Sequence, residues 1–294
     1  MAQSKSFFGL RRGSTKTLTF SVYNGKQVTK DRVTDVKNPR SSAQMKQRAI
    51  MATALHGYSA LKEICDHSFE GVAYGQKSMN YFVSENTRMI RSTAPDVNLS
   101  LFKGNSVSNN YIISKGSLPT IDVQSVSIEN NNYQFQIPMS VGTSGITFGK
   151  VMANLGATLA GDMITFVFLK DNPGGNASVY WVRLKLSNEN KTVSLNEADN
   201  ILSKITEGTD FETNIDNFTP NDIALLAMEN YLVAELTGED QVSQSVGVIM
   251  SRKTDTTWLR SSCIMTSLKD SWNFDEALAS YPENGGKILN GGNV

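Results

Sequence analysis

The chain has 294 residues, 39% of them hydrophobic and 19% charged, a balance that supports a large folded core and excludes an intrinsically disordered chain. Its 28 Lys and Arg are matched by 28 Asp and Glu, so no overall charge draws it to nucleic acid or to an anionic membrane. No run approaches the roughly 18 apolar residues of a membrane span, and the start lacks both an uninterrupted apolar h-region and a small-residue cleavage site, so the reading is a soluble chain made in the cytoplasm.

In chain order, the runs 17–22 and 27–33 alternate with period two and flank Tyr23-Asn24-Gly25-Lys26. Asn-Gly tolerates the positive φ angles of a tight type I′ turn, which predicts a β-hairpin. Asn38-Pro39 ends the extended run, because proline removes a ladder donor and keeps its predecessor out of the helical region. Ser41 or Ser42 then caps a long helix. On it Ile50, Ala54, Tyr58, Leu61 and Cys65 share one face, flanked by Met51, Leu55 and Ile64. A second helical stripe between Gln76 and Ile90 holds Met79, Phe82, Val83, Met89 and Ile90, with Lys77, Tyr81, Ser84, Arg88 and Arg91 facing outward.

The Tyr-Asn-Gly-Lys turn, Asn38-Pro39-Arg40-Ser41-Ser42-Ala43-Gln44-Met45-Lys46-Gln47-Arg48 and the run from Asn80 to Asn86 resemble an uncharacterised family of Bacteroidota and of their bacteriophages and mobile elements. The resemblance covers about the first third of the chain, and more loosely Ala277 to Tyr281 with Leu289 to Gly292. Asn-Pro, Ala-Gln and Arg signatures of this kind are similar to those of phage structural proteins, which implies a component of a virion or a related particle. The family brings no activity and no site residues with it.

From Ser92 to Pro119 the composition turns to Ser, Asn and Gly, which marks a linker between residues 1–91 and a β-rich domain over 120–294. In that domain 121–128 and 133–137 alternate, 163–169 is apolar on both faces as a central strand is, and 178–186, 246–250 and 258–266 supply further strands. Short helices are expected over Phe148–Leu159 and Pro220–Glu229, and a last one over Phe274–Ser280 behind an Asn273 cap. The expected fold is α+β: an N-terminal β-hairpin and a helical hairpin, then a mainly antiparallel β-sandwich or barrel-like domain.

Chemistry-bearing patterns are sparse. His56 and His67 are the only histidines, and Cys65-Asp66-His67 cannot converge on one point as a nucleophile, orienter and base must. Cys65 and Cys263 read as free buried thiols, and zinc spacing is absent. The acids of Glu207 to Asp216 lack the glycine and terminal glutamate of an EF-hand loop and read as a solvated loop. Gly142-Thr143-Ser144-Gly145 lacks the lysine of a P-loop. The expectation is therefore a non-enzymatic protein with no catalytic residue, no metal, no cofactor and no small-molecule substrate.

Charge is unevenly spread. Residues 1–50 hold eleven Lys and Arg against Asp31 and Asp35, a local net of +9, whereas 187–240 hold twelve acids against Lys191 and Lys204, a local net of −10. Such opposed segments suit a contact between subunits, in which one copy's arm meets its neighbour's acidic surface. The candidate interaction surface is Arg11, Arg12, Lys16, Lys26, Lys30, Arg32, Arg40, Lys46 and Arg48, with Arg88 and Arg91 on the second helix. The same residues, with Tyr23 and Tyr81 for stacking, are the basis of an alternative in which the partner is nucleic acid. Against that alternative, strand order spreads the basic side chains over both sides of the ribbon.

Overall fold

The computed structural model describes residues 2–4, 12–32, 42–93, 110–128, 133–141, 145–172, 176–238 and 244–267. Two compact units, Met1–Ser41 and Ser42–Val294, make up the chain. The division thus falls before the helices and not at 92–119, because the helices bury their apolar stripe on strands of the second unit.

In the first unit β1 (Ala2–Ser4), β2 (Gly13–Ser14), β3 (Leu18–Tyr23) and β4 (Lys26–Asp31) form an antiparallel sheet in the order β1-β4-β3-β2. Asn24 and Gly25 join β3 to β4 with φ of 48° and 73°. Both lie in the left-handed region that a type I′ turn requires and that Asn-Gly enters at least cost.

The second unit begins with α1 (Ser42–Ser68) and α2 (Gln76–Thr93). The predicted stripe of Ile50, Ala54, Tyr58, Leu61 and Cys65 is buried, while Met51 and Leu55 at its margin are 48% and 37% exposed. The pair runs antiparallel. Ser78 Oγ donates to the Cys65 carbonyl at 2.5 Å at one end, and Arg91 Nη2 donates to Gln47 Oε1 at 3.0 Å at the other. Between the helices, the Asp66 carboxylate accepts from the Tyr58 hydroxyl and from Gly75 N.

After β5 (Ile112–Ser114) come β6 (Gln124–Ser127), β7 (Tyr133–Pro138), β8 (Ile146–Thr147) and α3 (Phe148–Asn154), the last capped by Thr147 Oγ1. The long strands β9 (Met163–Asn172) and β10 (Asn176–Lys185) follow, then β11 (Ser194–Leu195) and β12 (Phe211–Thr213). The described chain closes with β13 (Ile223–Ala227), β14 (Tyr231–Leu236), β15 (Gln244–Lys253), β16 (Trp258–Arg260), β17 (Cys263–Ile264) and β18 (Thr266–Ser267). The main sheet has the order β12-β10-β9-β15-β16, with β18 also on β15; a second has the order β13-β14-β7-β6.

β9 is central, as its two-sided apolarity predicts. Ile164, Phe166 and Phe168 enter the core shared with the second sheet and α3, whereas Val167 and Leu169 enter the core beneath α1 and α2. The unit is therefore layered, helices on sheet on sheet, and each fully buried Phe contributes about 2–3 kcal/mol of transfer free energy. The fold is α+β with sandwich-like antiparallel sheets, as the periodicities predicted.

Two expectations need correction. The helix predicted over Pro220–Glu229 is strand β13: Ile223, Leu225 and Ala227 are buried alternately, and the strand pairs with β14 from Ile223↔Leu236 to Ala227↔Leu232. An Ala/Leu-rich composition suggested helix, but a cross-strand partner and a buried face override propensity. Residues 110–119 are no linker, since β5 pairs with β17. The helix expected over Phe274–Ser280 lies outside the described residues.

Asn86 of α2 holds β5 in place. Fully buried, it donates from Nδ2 to the carbonyls of Phe82 and Ile112, both at 3.0 Å, and accepts from Ile112 N at 2.8 Å. Asn86→Ala is expected to cost about 2 kcal/mol, because it strands a buried backbone donor and acceptor. Urea unfolding measures it, and a loss below about 0.5 kcal/mol would show that β5 is held by other contacts.

Candidate interaction surface and a basic cleft

Register sorts the first unit's side chains by face. Pairs Leu18↔Asp31, Phe20↔Thr29 and Val22↔Gln27 place Leu18, Phe20 and Val22 on one side; Thr19↔Lys30, Ser21↔Val28 and Tyr23↔Lys26 place Tyr23, Lys26 and Lys30 on the other. Lys26 and Lys30 thus share one face and are not spread over both, and Tyr23, opposite Lys26, is 71% exposed. The parity of 26 and 30 and the pairing set by the Asn-Gly turn carry this signal in the sequence. None of the unit's described hydrophobic side chains is fully buried. Among the described strands β1 and β2 lie at the edges of the sheet, and edge strands present outward backbone groups that can pair.

The other basic candidates are less concentrated. Arg12 and Lys16 are exposed beside β2, and Arg32 donates from Nη1 to the Thr15 carbonyl at 3.1 Å. Arg88 and Arg91 are exposed on α2, in the second unit. Arg11 and Arg40 lie outside the described residues, as do the side chains of Lys46 and Arg48. Tyr81 is no stacking platform: its ring packs against Phe69 at 5.0 Å, with Lys115 Nζ over it at 5.8 Å.

The acidic segment contains both loop braces and exposed carboxylates. Asp199 accepts from Asn196 N at 3.0 Å and pairs with Lys204, interactions that hold its carboxyl below the usual range; Asp210 accepts from Thr206 N, and Asp222 from Thr219 N. These three tie their own loops, as short acidic side chains do in turns. Glu189, Glu197, Glu207, Glu212 and Asp216 are exposed. Among the described residues no three His, Cys, Asp or Glu side chains cluster as metal ligands do.

A cleft of about 320 Å³ lies where the last turn of α1 leaves a corner of the main sheet uncovered. Glu63, Ile64, His67 and Ser68 form its helical wall. Its floor consists of neighbours across four strands, with Arg183 paired to Thr165 and Thr165 to Ile249, then Met163 paired to Ser251 and Ser251 to Arg260. Arg183 donates from Nε to Thr165 Oγ1 at 3.3 Å, and its guanidinium lies 5.0 Å from the Trp181 ring. Arg260 donates from Nε to the His67 carbonyl at 3.3 Å and lies 5.1 Å from the Trp258 ring. Burial, and then the charge of Arg183, lower the pKa of Arg260, against a smaller opposing effect of Glu70.

Cys65, Asp66 and His67 do not converge. Cys65 is sealed in the helical core with Sγ 3.8 Å from the Ile113 carbonyl, and burial pushes its thiol pKa well up; Asp66 is tied to Tyr58, and His67 faces the cleft. Cys263 is likewise free and buried, its thiol pushed up to about 12 by burial. No helix among the described residues is long and apolar enough to cross a membrane. No protein-family model, curated protein or solved structure matches this chain.

The cleft was missed at the sequence level because Arg183 and Arg260 belong to no motif and meet only through the strand order. The one local signal was each arginine's spacing of two from a tryptophan in a strand, which puts both side chains on one face.

Proposed function

We propose that this protein is a non-enzymatic assembly component, of the kind found in phage or phage-like particles, that self-associates through its N-terminal sheet. The observation that carries this reading is the exposed face of Tyr23, Lys26 and Lys30 on a small, separate β unit. An exposed aromatic ring is the kind of side chain that protein interfaces favour, and lysines on the same face supply charge that steers an acidic partner. The occupant it fits is the acidic segment of a second copy, where Glu207 and Asp216 are exposed. Resemblance of the N-terminal third to a phage-associated family supports the particle setting.

The test is light-scattering mass of nuclease-treated full-length protein at low and high salt. Lys26→Glu with Lys30→Glu is expected to weaken association about tenfold, or about 1.4 kcal/mol, and Glu207→Lys with Asp216→Lys is expected to restore it in mixtures of the two variants. A monomer under every condition overturns the reading.

The same face favours a second reading, single-stranded nucleic acid, through base stacking on Tyr23 and phosphate contacts to the lysines. In that case the charge-reversed pair loses oligonucleotide binding, no acidic variant restores it, and log K falls with log salt by about 0.7 per phosphate contacted.

A further inference from the structure

We propose that the cleft at the end of α1 binds a small oxyanion, a phosphate or carboxylate, between the guanidinium groups of Arg183 and Arg260. Two like charges lining one part-buried corner carry a cost, and among the described residues Glu63 on the helical wall is the only carboxylate that lines this cleft. Among the described residues, neither arginine forms an ion pair within it. Arg183 reaches Glu212 at 3.6 Å, longer than a hydrogen bond, with Glu212 61% exposed, so that pair is weak. Glu70 serves the backbone: it accepts from Ser117 N at 2.9 Å and from Arg260 N at 3.3 Å.

A guanidinium has five N–H donors. Arg183 uses Nε on Thr165, and Arg260 uses Nε on the His67 carbonyl and Nη1 on the Leu259 carbonyl, which leaves the Nη2 group of each unengaged among the described residues. Each guanidinium also lies near a tryptophan ring, which limits its rotation. Two orientated forks with spare donors match the paired oxygens of a phosphate or carboxylate. The carbonyls at the end of α1 oppose an anion, but that of His67 is already capped by Arg260. A volume of about 320 Å³ admits a small ligand and not a polymer. This site is independent of the N-terminal sheet, so either proposal stands if the other fails.

The experiment follows the arginine Nε–Hε signals of the full-length protein by NMR while sodium phosphate, sodium acetate or sodium chloride is added at matched ionic strength in a buffer free of phosphate and carboxylate. The expected result is a saturable shift of Arg183 and Arg260 with phosphate or acetate and none with chloride; whichever anion saturates at lower concentration names the class. Arg183→Gln is expected to raise the half-saturating concentration at least tenfold while leaving the amide spectrum folded, and Arg260→Lys, which keeps the charge and loses the fork, to raise it by a smaller factor. Shifts that track ionic strength alone, that chloride reproduces, or that all arginines share overturn the proposal, as does saturation unaltered in Arg183→Gln.

Discussion

Arg252→Ala is expected to destabilise the second unit by about 3 kcal/mol. Asp162, at the start of β9, keeps 2% of its side chain exposed and is gripped by both ends of the Arg252 fork, Nε to Oδ1 at 2.8 Å and Nη2 to Oδ2 at 2.6 Å. Oδ2 also accepts from Thr158 N and Leu159 N, each at 2.9 Å. Removing the arginine leaves a buried carboxylate with two amide donors and no countercharge. Those donors keep the loss near the lower end of the roughly 3–5 kcal/mol expected for a broken buried pair. Urea unfolding at neutral pH measures it, and a midpoint within error of the parent would show that water takes the place of the guanidinium.

The same pair has a pH signature. Burial by itself would raise the Asp162 carboxyl, but Arg252 and the two amides outweigh it and hold the group below its ordinary value. A carboxyl depressed in the folded state stabilises fully above its unfolded pKa of about 3.9, and that stabilisation is lost as pH falls through the folded value. The parent should therefore lose stability on acidification below about pH 4, and the difference between parent and Arg252→Ala should shrink there.

Gly116→Ala is expected to cost about 3 kcal/mol, at the top of the usual range for overpacking. A Cβ at Gly116 would stand 2.2 Å from the Arg260 carbonyl oxygen and 2.7 Å from Glu70 Oε2. The carbonyl cannot swing aside, because it already accepts from Leu118 N at 2.9 Å. Glu70 is likewise committed to Ser117 N and Arg260 N, bonds that lower its carboxyl pKa. The substitution must push the segment after β5 away from β16 and break this clasp. Ser117→Ala, which loses the hydroxyl bonds to Glu70 without adding a clash, is expected to cost only about 1 kcal/mol. Equal unfolding midpoints for the two variants would refute the steric argument.

What the sequence alone determined is the part set by near neighbours. The Asn24-Gly25 turn needs two positive φ angles and a matching residue pair, and nothing distant bears on it. The α1 stripe and the two-sided apolarity of β9 follow from periodicity, because a face that is apolar at the right spacing must be buried somewhere. The net positive charge of the N-terminal arm was equally legible, but the expectation that strand order spreads its basic side chains over both faces fails for Lys26 and Lys30, which the turn and strand parity put on one face.

Tertiary structure decided where those faces meet. Ile223 to Ala227 has a composition compatible with either period, and pairing with β14 made it a strand. Asn86 and Ile112, Asp162 and Arg252, and Arg183 and Arg260 lie 26, 90 and 77 residues apart, and no local rule relates the members of each pair. They come together through strand order and through the way the helices lie on the main sheet, both fixed by the burial of whole faces and not by the polar residues themselves. A polar cluster assembled in this way leaves no spacing in the chain, so the clasp at Glu70, the buried ion pair and the basic cleft became visible only once the layers were stacked.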